Sequence, residues 1–487
     1  MKFIRILLRG FLNIFLTTSL FLLLQSTNCV FSQSHIRGKS TVFRNDSLKV
    51  YYQSNFITNS SSYLGSIYVD STGYFDFELK VNSTLPVYID LPNSNVYLKV
   101  EDSACYDIRL PGGKETDLKR KLFPLTEKEK IPAFIVDEPN GLNFNLLKLN
   151  NMLFDMQKYL VFVQDLEKRK KLYDSLIVYL DTLRAKGNIE YFENYKKYRL
   201  AKVHQDLFHL KREFYFDSLF AYKPFLYNIP SYLDFFKSYY SNYLLSGIIS
   251  GDTLIQLIFK YDFKTIVEKI ENANQNKLTK EVAQMIAIYN LYQIYYRTKD
   301  FQPAIIQMFA NLQTSNKLNS VQKKIVKDIY LKFTSLRKGY YAPHFNLPNY
   351  KNKNFENEDF KGDFVYLNFY SPYCNTCSGY MEMLAKYYKQ KIKKLNIVTI
   401  FVADSISQMN DFLEQNKEYK WTFLFANYKN DILKEYNIKS FPTFYLFNPD
   451  GKFAIENCPS PIENFEKAYN NAYKEWMKEK KEIQQLH

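Results

Sequence analysis

Two of the five cysteines in this 487-residue chain, Cys374 and Cys377, form a Cys-x-x-Cys pair within the stretch SPYCNTC. The apolar run DFVYLNFY before the pair predicts a buried strand, and SGYMEMLAKYYKQK after it predicts a helix. A cysteine at a helix N-terminus is favoured as the thiolate, which is the nucleophile of thiol–disulfide exchange. The spacing therefore points to Cys374 as an attacking sulfur and to Cys377, one turn deeper, as a resolving sulfur.

Three other uses of such a pair fit the surrounding residues less well. A zinc site needs two more ligands, and the other cysteines and the five histidines show no second Cys-x-x-Cys or His-x-His spacing. An exposed loop at a helix start is a poor place for a purely structural disulfide. A peroxidase nucleophile would follow the pattern Pro-x-x-x-Ser/Thr-x-x-Cys, and Ser371 fits the hydroxyl position, but Leu367 stands where the proline belongs. The sequence thus favours disulfide exchange and predicts no metal.

The length and composition are those of a folded protein with two or three domains. Hydrophobic residues make up 46% of the chain, which includes 42 Tyr and 41 Phe. The formal net charge is +15, but the lysines are scattered among Tyr, Asn and Glu rather than gathered in one block. This distribution is typical of a solvated surface, so we expect no nucleic-acid partner. The sequence does not indicate an oligomeric state.

Residues 1–32 have the three-part form of a signal peptide. Basic residues are followed by an apolar run at 11–24, and the run VFS offers a cleavage site before Gln33. The alternative is a lipoprotein that carries its lipid on Cys29. No later stretch is long and apolar enough to span a bilayer. We therefore expect an exported protein of the periplasm or cell envelope, where disulfides persist.

Changes of pattern divide the rest of the chain into three domains. Residues 33–124 alternate polar and apolar residues in short runs separated by turns such as DSTG, which predicts an antiparallel β-sandwich. Residues 125–338 carry apolar residues at helical spacing, which predicts an all-α domain of unassigned role. Residues 339–487 alternate strands and helices, which predicts an α/β domain with its ligand edge at the carboxyl ends of the strands.

Three stretches of the last domain, APHFNL, DFVYLNFYSPYCNTC and YNIKSFPTFYLFNPDGK, together resemble the thioredoxin superfamily. Within it, residues 340–480 are most similar to the TlpA-like exported thiol:disulfide oxidoreductases. The β-sandwich and helical block ahead of them resemble the front of exported thioredoxin-like proteins of uncharacterised role. The resemblance implies a thioredoxin fold and an enzyme that exchanges disulfides through a Cys374–Cys377 dithiol, without a metal or an organic cofactor.

The resemblance also implies what surrounds the cysteines. Pro442 matches the cis-proline that lies beside the disulfide, and Phe441 before it presents its backbone to the extended chain of the substrate. Tyr373, directly before the first cysteine, is a further candidate for substrate contact. The implied partners are protein disulfides and a membrane thiol that donates electrons.

Two positions depart from the family pattern. Asn368 stands where thioredoxin has a buried Asp that moves the proton of the resolving thiol, and Tyr380 stands where TlpA-like reductases often have a Glu. The proton shuttle is therefore unassigned. The Asn-Thr dipeptide between the cysteines has no histidine to stabilise the thiolate, so we expect a reducing to middling potential and reduction as the direction. The alternatives are a disulfide oxidant or isomerase, or an envelope binding protein whose N-terminal domains recognise a partner and whose redox domain is accessory.

Cys105 and Cys458 lie outside the pair. We expect Cys105 to be a buried structural cysteine. Cys458 is expected to be a buried free thiol, and the alternatives are a third redox cysteine or a bridge to Cys105.

Overall fold

The computed structural model describes residues 33–113, 117–136, 141–183 and 186–485. The predicted signal peptide, residues 1–32, and the alternative lipid site at Cys29 lie outside these ranges. Among the helices of these ranges, none is both long and apolar enough to cross a membrane. The chain forms a β domain, a helical domain and an α/β domain, so the predicted fold class is confirmed.

The N-terminal domain consists of two β-sheets around a shared core. Strands such as Ser94–Val100 alternate fully buried with half-buried residues, because only one face of each sheet meets that core. The strands are β1 Ser34–Lys39, β2 Asp46–Asn55, β3 Ser60–Val69, β4 Tyr74–Leu79, β5 Leu85–Asp90, β6 Ser94–Val100, β7 Cys105–Arg109, β8 Glu129–Pro132 and β9 Phe134–Ile135. One sheet has the order β4-β1-β7-β9 and the other the order β3-β2-β5-β6-β8.

Most strand pairs are antiparallel, as predicted, but β1–β7 and β6–β8 are parallel. β8 pairs with β6 in one sheet, and β9 pairs with β7 in the other. Both strands follow residue 124, where the sequence predicted the first domain to end. Their residues, EKIPAFI, are few and lack a regular alternation, so only pairing with β6 and β7 makes them strands. The short helix α1, Leu118–Leu122, belongs to this domain too, because the Asp117 N–H donates to the Asn93 side chain.

The middle of the chain is a helical domain with one continuous core. Its helices are α2 Leu142–Val161, α3 Leu166–Leu180, α4 Ile189–Phe208, α5 Glu213–Leu219, α6 Pro230–Tyr239, α7 Gly251–Phe259, α8 Phe263–Ala273, α9 Lys280–Arg297, α10 Gln302–Gln313 and α11 Ser320–Thr334, with 3₁₀ turns at Tyr243–Leu245 and Lys299–Phe301. The predicted apolar stripe of α9, which includes Val282, Met285 and Ile286, is buried in this core. Residues three and four apart share one helix face, so this stripe packs rather than forming a ligand groove.

The C-terminal domain has a central sheet of order β14-β13-β12-β15, in which β15 runs antiparallel to its neighbour β12. Its strands are β10 Asn346–Pro348, β11 Asn354–Glu356, β12 Phe364–Tyr370, β13 Leu395–Val402, β14 Thr422–Ala426 and β15 Thr443–Phe447. Its helices are α12 Cys377–Gln390, α13 Ile406–Gln415, α14 Ile432–Glu435 and α15 Phe465–Gln485, with a 3₁₀ turn at Asn357–Phe360. Every residue of β12 is buried. This strand leads directly into the Cys-x-x-Cys turn and so fixes it at the carboxyl edge of the sheet.

Candidate redox site

A short turn between β12 and α12 carries both cysteines. The Cys374 N–H donates to the Ser371 carbonyl at 3.0 Å, and the Cys377 N–H donates to the Cys374 carbonyl at 3.1 Å. A disulfide joins Cys374 and Cys377, and α12 begins at Cys377. Cys374 is 8% exposed whereas Cys377 is fully buried. Cys374 is therefore the more exposed residue of the pair, which is the order that exchange requires.

Two oxygen atoms lie close to the sulfur of Cys374. The Phe441 carbonyl oxygen and the Thr376 hydroxyl are each 3.5 Å from Cys374 Sγ. The peptide bond between Phe441 and Pro442 is cis. The structure thus brings Phe441 and Pro442, both proposed from the sequence, next to the attacking sulfur. The Thr376 contact was missed, because an uncharged residue between two cysteines gives no chemical signal in the sequence.

A chain of neutral polar side chains lies under the turn. The Trp421 indole N–H donates to Thr399 Oγ1 at 2.8 Å, and the Thr399 hydroxyl donates to Asn368 Oδ1 at 2.6 Å. The Asn368 amide lies 3.8 Å from the sulfur of Met381, one turn after Cys377. These groups do not exchange protons near neutral pH. Asn368 is buried and hydrogen-bonded to Thr399, so it orders this region without acting as a proton shuttle.

The second departure from the family pattern, Tyr380, also carries no carboxylate to the site. Its ring packs against Phe444 with centroids 5.8 Å apart. Glu382, two residues on, is exposed on α12. The proton of the resolving thiol therefore has no carboxylate acceptor among these candidates.

Tyr373 is held by a residue from another domain. Its hydroxyl donates to Asp404 Oδ2 at 2.7 Å, and Lys121 Nζ of α1 donates to the same carboxylate oxygen at 2.6 Å and to the Tyr373 oxygen at 3.2 Å. The ammonium also lies 4.6 Å from the centre of the Tyr373 ring, in cation–π range. Burial lowers the pKa of Lys121, but its hydrogen bonds to Asp404 and Tyr373 outweigh that effect and raise the pKa. Lys121 is thus charged and bound in place.

Sequence reasoning missed Lys121 and Asp404. Lys121 precedes Tyr373 by 252 residues and sits in a five-residue helix with two other basic residues. Nothing in that helix distinguishes Lys121 from its neighbours in the sequence. Asp404 lies two residues after the end of β13, so its place at the carboxyl end of a predicted strand was a usable signal.

Tyr428 supports the turn from the other side. Its hydroxyl donates to the Val402 carbonyl at 3.0 Å, which leaves its oxygen to accept from the Ser371 hydroxyl at 2.8 Å. The Tyr373 N–H in turn donates to Ser371 Oγ at 3.4 Å. Burial raises the pKa of Tyr428, so it stays neutral in this chain of hydrogen bonds. The backbone and the side chain of Tyr373 are therefore fixed separately.

The remaining candidate residues lie apart from this arrangement. Cys458 is a free thiol, as expected, but it is half-buried rather than buried; its partial burial raises the thiol pKa, and it forms no bridge to Cys105. Cys105, expected to be buried, is half-buried at the start of β7. Among the described residues, His344, Glu356 and Glu358 bring ligand-type atoms close together, but they form an open surface group that includes neither redox cysteine.

A protein-family model described as the AhpC/TSA family matches residues 339–454. The matched range starts before β10 and ends after β15. It includes Cys374, Cys377 and Pro442, and it excludes both N-terminal domains. The part of the chain that matches is thus the part that contains the disulfide.

Two curated relatives are similar to part of the chain. Thiol-disulfide oxidoreductase ResA of Bacillus subtilis (strain 168) is 32% identical over 120 residues, which are 24% of this chain and 65% of the relative. Thioredoxin-like protein YneN of the same organism is 28% identical over 120 residues, which are 25% of this chain and 71% of the relative. The chain thus spans slightly less than two thirds of the length of the ResA relative.

Solved structures also align with about a quarter of the chain. A putative thiol:disulfide interchange protein DsbE from Chlorobium tepidum is 28% identical, with a TM-score of 0.25, and covers 28% of this chain and 99% of its own. The C-terminal domain of a putative thiol-disulfide oxidoreductase from Bacteroides thetaiotaomicron is 23% identical, with a TM-score of 0.26, and covers 28% and 97%. On the strength of the family model and the curated relatives, this chain carries at residues 339–454 a thioredoxin-like domain of the AhpC/TSA family, which confirms the resemblance found in the sequence.

Proposed function

We propose that this chain is an exported thiol:disulfide oxidoreductase that reduces disulfides in other proteins through Cys374 and Cys377. One observation carries the proposal: the disulfide lies at the start of α12, and Cys374 keeps a small exposed fraction of 8% whereas Cys377 is fully buried. This asymmetry supports attack by Cys374 and resolution by Cys377. The name of the ResA relative, a thiol-disulfide oxidoreductase, is consistent with the same chemistry.

The reaction runs in two exchange steps. The Cys374 thiolate attacks one sulfur of the partner disulfide, forms a mixed disulfide, and releases the other partner sulfur as a thiolate that takes up a proton. The Cys377 thiol then loses its proton and attacks Cys374 Sγ, which releases the second partner thiol. Two electrons pass to the partner, and the Cys374–Cys377 disulfide remains on the enzyme.

The groups around Cys374 support the first step. The N-terminal end of α12 and the Thr376 hydroxyl stabilise negative charge on Cys374 Sγ. The backbone around Phe441 and Pro442 lies beside that sulfur, where an extended substrate segment would run. With the neutral Asn368 in the buried position, the proton of Cys377 has to leave through water or the departing partner thiolate.

A membrane thiol that re-reduces the disulfide, and a periplasmic or envelope location, are parts of the same proposal. They rest on the signal-like residues 1–32 and on the resemblance described above. No metal or organic cofactor takes part in the exchange steps.

The test is the reduction potential of the Cys374–Cys377 couple, measured in graded thiol/disulfide buffers by alkylation and mass. A value below about −230 mV supports a reductase, whereas a value above about −170 mV would make an oxidant or isomerase the better description.

The assignment of the two sulfurs is tested by trapping. Cys377→Ser should accumulate a mixed disulfide with a protein substrate and Cys374→Ser should not, so trapping by Cys374→Ser alone would reverse the roles.

A further inference from the structure

The N-terminal β domain contacts the C-terminal domain along a surface that extends from the redox site to Asp431. Around Tyr373, Lys121 binds Asp404, and its neighbour Leu122 packs against the core of the C-terminal domain. Away from the cysteines, Lys49 Nζ lies 2.6 Å from Asp431 Oδ2. The two domains are therefore joined both at the redox site and outside it.

We propose that Lys121 is a positioning residue of the redox site: through it, the N-terminal domain holds Tyr373 as a fixed wall of the groove that receives a protein substrate. This inference rests on the proposed function and names a part of the substrate-binding surface that lies outside the thioredoxin-like domain. It also gives the β domain a role in selecting which disulfides reach Cys374.

Several independent contacts fix the Tyr373 side chain. The Tyr373 hydroxyl donates to Asp404 and accepts from Lys121, and the ammonium covers one face of the ring. The Tyr428 ring lies beside it, with centroids 6.3 Å apart. A tyrosine next to an attacking cysteine on an exposed turn would otherwise turn about its side-chain bonds. Here its position is set before the substrate arrives, which lowers the entropy cost of binding.

The charges of Lys121 and Asp404 compensate each other beside Tyr373. Burial raises the pKa of Asp404, but its hydrogen bonds to Lys121 and Tyr373 outweigh that effect and keep the pKa below its usual value. Asp404 is therefore an anion, and Lys121 compensates its charge beside Tyr373, the residue before Cys374. The pair adds almost no net charge near Cys374, so its contribution is geometric as long as both members are present.

The surface around Cys374 limits how a partner approaches. With Tyr373 fixed against the β domain, the exposed residues within two positions of Cys374 are Pro372, Asn375 and Thr376. A partner has to approach across these residues and the Phe441–Pro442 edge. An extended segment of a protein can contact both that edge and the Tyr373 wall, whereas a small disulfide reaches only the sulfur.

The experiment compares Lys121→Met with Lys49→Met, which breaks an equally short interdomain ion pair away from the cysteines, and with Lys121→Arg, which keeps both the charge and the cation–π contact. Reduction of insulin and of glutathione disulfide is followed for each full-length protein. We expect Lys121→Met to raise KM for insulin about fivefold or more and to leave glutathione disulfide turnover within about twofold. Lys49→Met and Lys121→Arg should behave as the wild type.

A second readout does not depend on catalysis. In Lys121→Met the Asp404 carboxylate loses its cation, and its uncompensated charge should raise the pKa of Cys374 by about half a unit. The pH dependence of iodoacetamide alkylation of the reduced protein measures this shift, and Lys121→Met/Asp404→Asn should remove it. The Lys49→Met variant should show no shift.

The outcomes separate the two proposals. If the wild type is active and Lys121→Met matches it in both readouts, the role of Lys121 is overturned and the proposed function stands. Equal changes in Lys49→Met and Lys121→Met would also overturn it, because general loosening of the interface would then explain both. A wild type that does not reduce insulin, combined with an alkylation shift specific to Lys121→Met, would overturn the reductase assignment while supporting the link between Lys121 and the cysteine.

Discussion

Asn368 supports the fold around the redox site without carrying a proton. It is buried in the middle of β12, accepts a hydrogen bond from Thr399, and carries no charge. The neighbouring motif residues Cys374 and Cys377 are readable from the sequence because their spacing relative to a strand and a helix has only a few uses. In the sequence, Asn368 stands out only as a departure from the family pattern, and its hydrogen bond from Thr399 explains why it is stable in that place.

Replacing Asn368 with Asp should restore a proton carrier at a cost in stability. Burial should raise the pKa of the new carboxyl by about 1.5 units in the folded state, so the free energy of unfolding should fall by about 2 kcal/mol at pH 7. The unfolded carboxyl titrates near pH 3.9, so stability is lost as the pH rises above that value and the deficit should nearly vanish at pH 4. Urea unfolding of wild type and variant at the two pH values measures this.

The same variant should speed the resolving step, because a nearby carboxyl can accept the proton of Cys377. Decay of a preformed mixed disulfide on Cys374 follows that step directly. A stability deficit that is the same at pH 4 and pH 7 would show that burial does not raise the pKa of the new carboxyl and would contradict this prediction.

At the scale of elements, the junction between β6 and α2 shows what sequence patterns leave out. The Asn143 side chain of α2 accepts from the Lys99 N–H at 2.7 Å and donates to the Lys99 carbonyl at 2.9 Å. The asparagine thus continues the hydrogen bonding of β6 beyond its pairing with β8. Strands β2 to β7 were predictable from alternation and turns, whereas β1, β8, β9 and this amide contact depend on distant partners that no local pattern encodes.

The Lys99 side chain at this junction should make stability depend on pH. Burial lowers the pKa of Lys99 to about 8, whereas the unfolded value is 10.5. Below pH 8 the folded protein carries a charge that burial disfavours, so Lys99→Met should raise the free energy of unfolding by about 2 kcal/mol at pH 7. Between pH 8 and 10.5 the folded lysine is neutral and the unfolded one still binds a proton, so wild-type stability rises and the advantage of the variant shrinks.

Urea unfolding of wild type and Lys99→Met at pH 7 and pH 10 checks this expectation. Tyrosine ionisation contributes to both proteins at high pH, so the difference between them isolates Lys99. An equal gain at both pH values would mean that the variant acts through packing rather than through charge.

At the scale of the whole molecule, the order of the domains was predictable but their contacts were not. Composition and periodicity separate strands, helices and the α/β pattern along the chain. The interface depends on single charged residues, such as Lys49 and Lys121, that look like the other scattered lysines in the sequence. The cysteines and the Phe441–Pro442 edge of the redox site were therefore predictable from the sequence. The contribution of Lys121 from α1 was not.

The interdomain ion pairs outside the redox site should contribute little and should respond to salt. Lys49 binds Asp431, and Lys429 Nζ lies 3.5 Å from Asp46, with the lysines and Asp431 partly exposed. Solvent screening limits each pair to about 0.5 kcal/mol, so Lys49→Met/Lys429→Met should lose about 1 kcal/mol at low ionic strength. Urea unfolding in low salt and in about 1 M salt should show the difference disappearing. A loss that persists in high salt would assign these lysines a packing role.

The separation of 252 positions between Lys121 and Tyr373 also sets an order of synthesis. At roughly 5–20 residues per second, the ribosome adds that stretch in about 10 to 50 seconds. The segment that bears Lys121 is therefore made before Cys374 and Cys377, and the redox domain is the last part of the chain that can dock onto it. A proteolytic fragment that has lost the first domain would keep the cysteine pair but not the wall beside it, so its redox chemistry would broaden rather than stop.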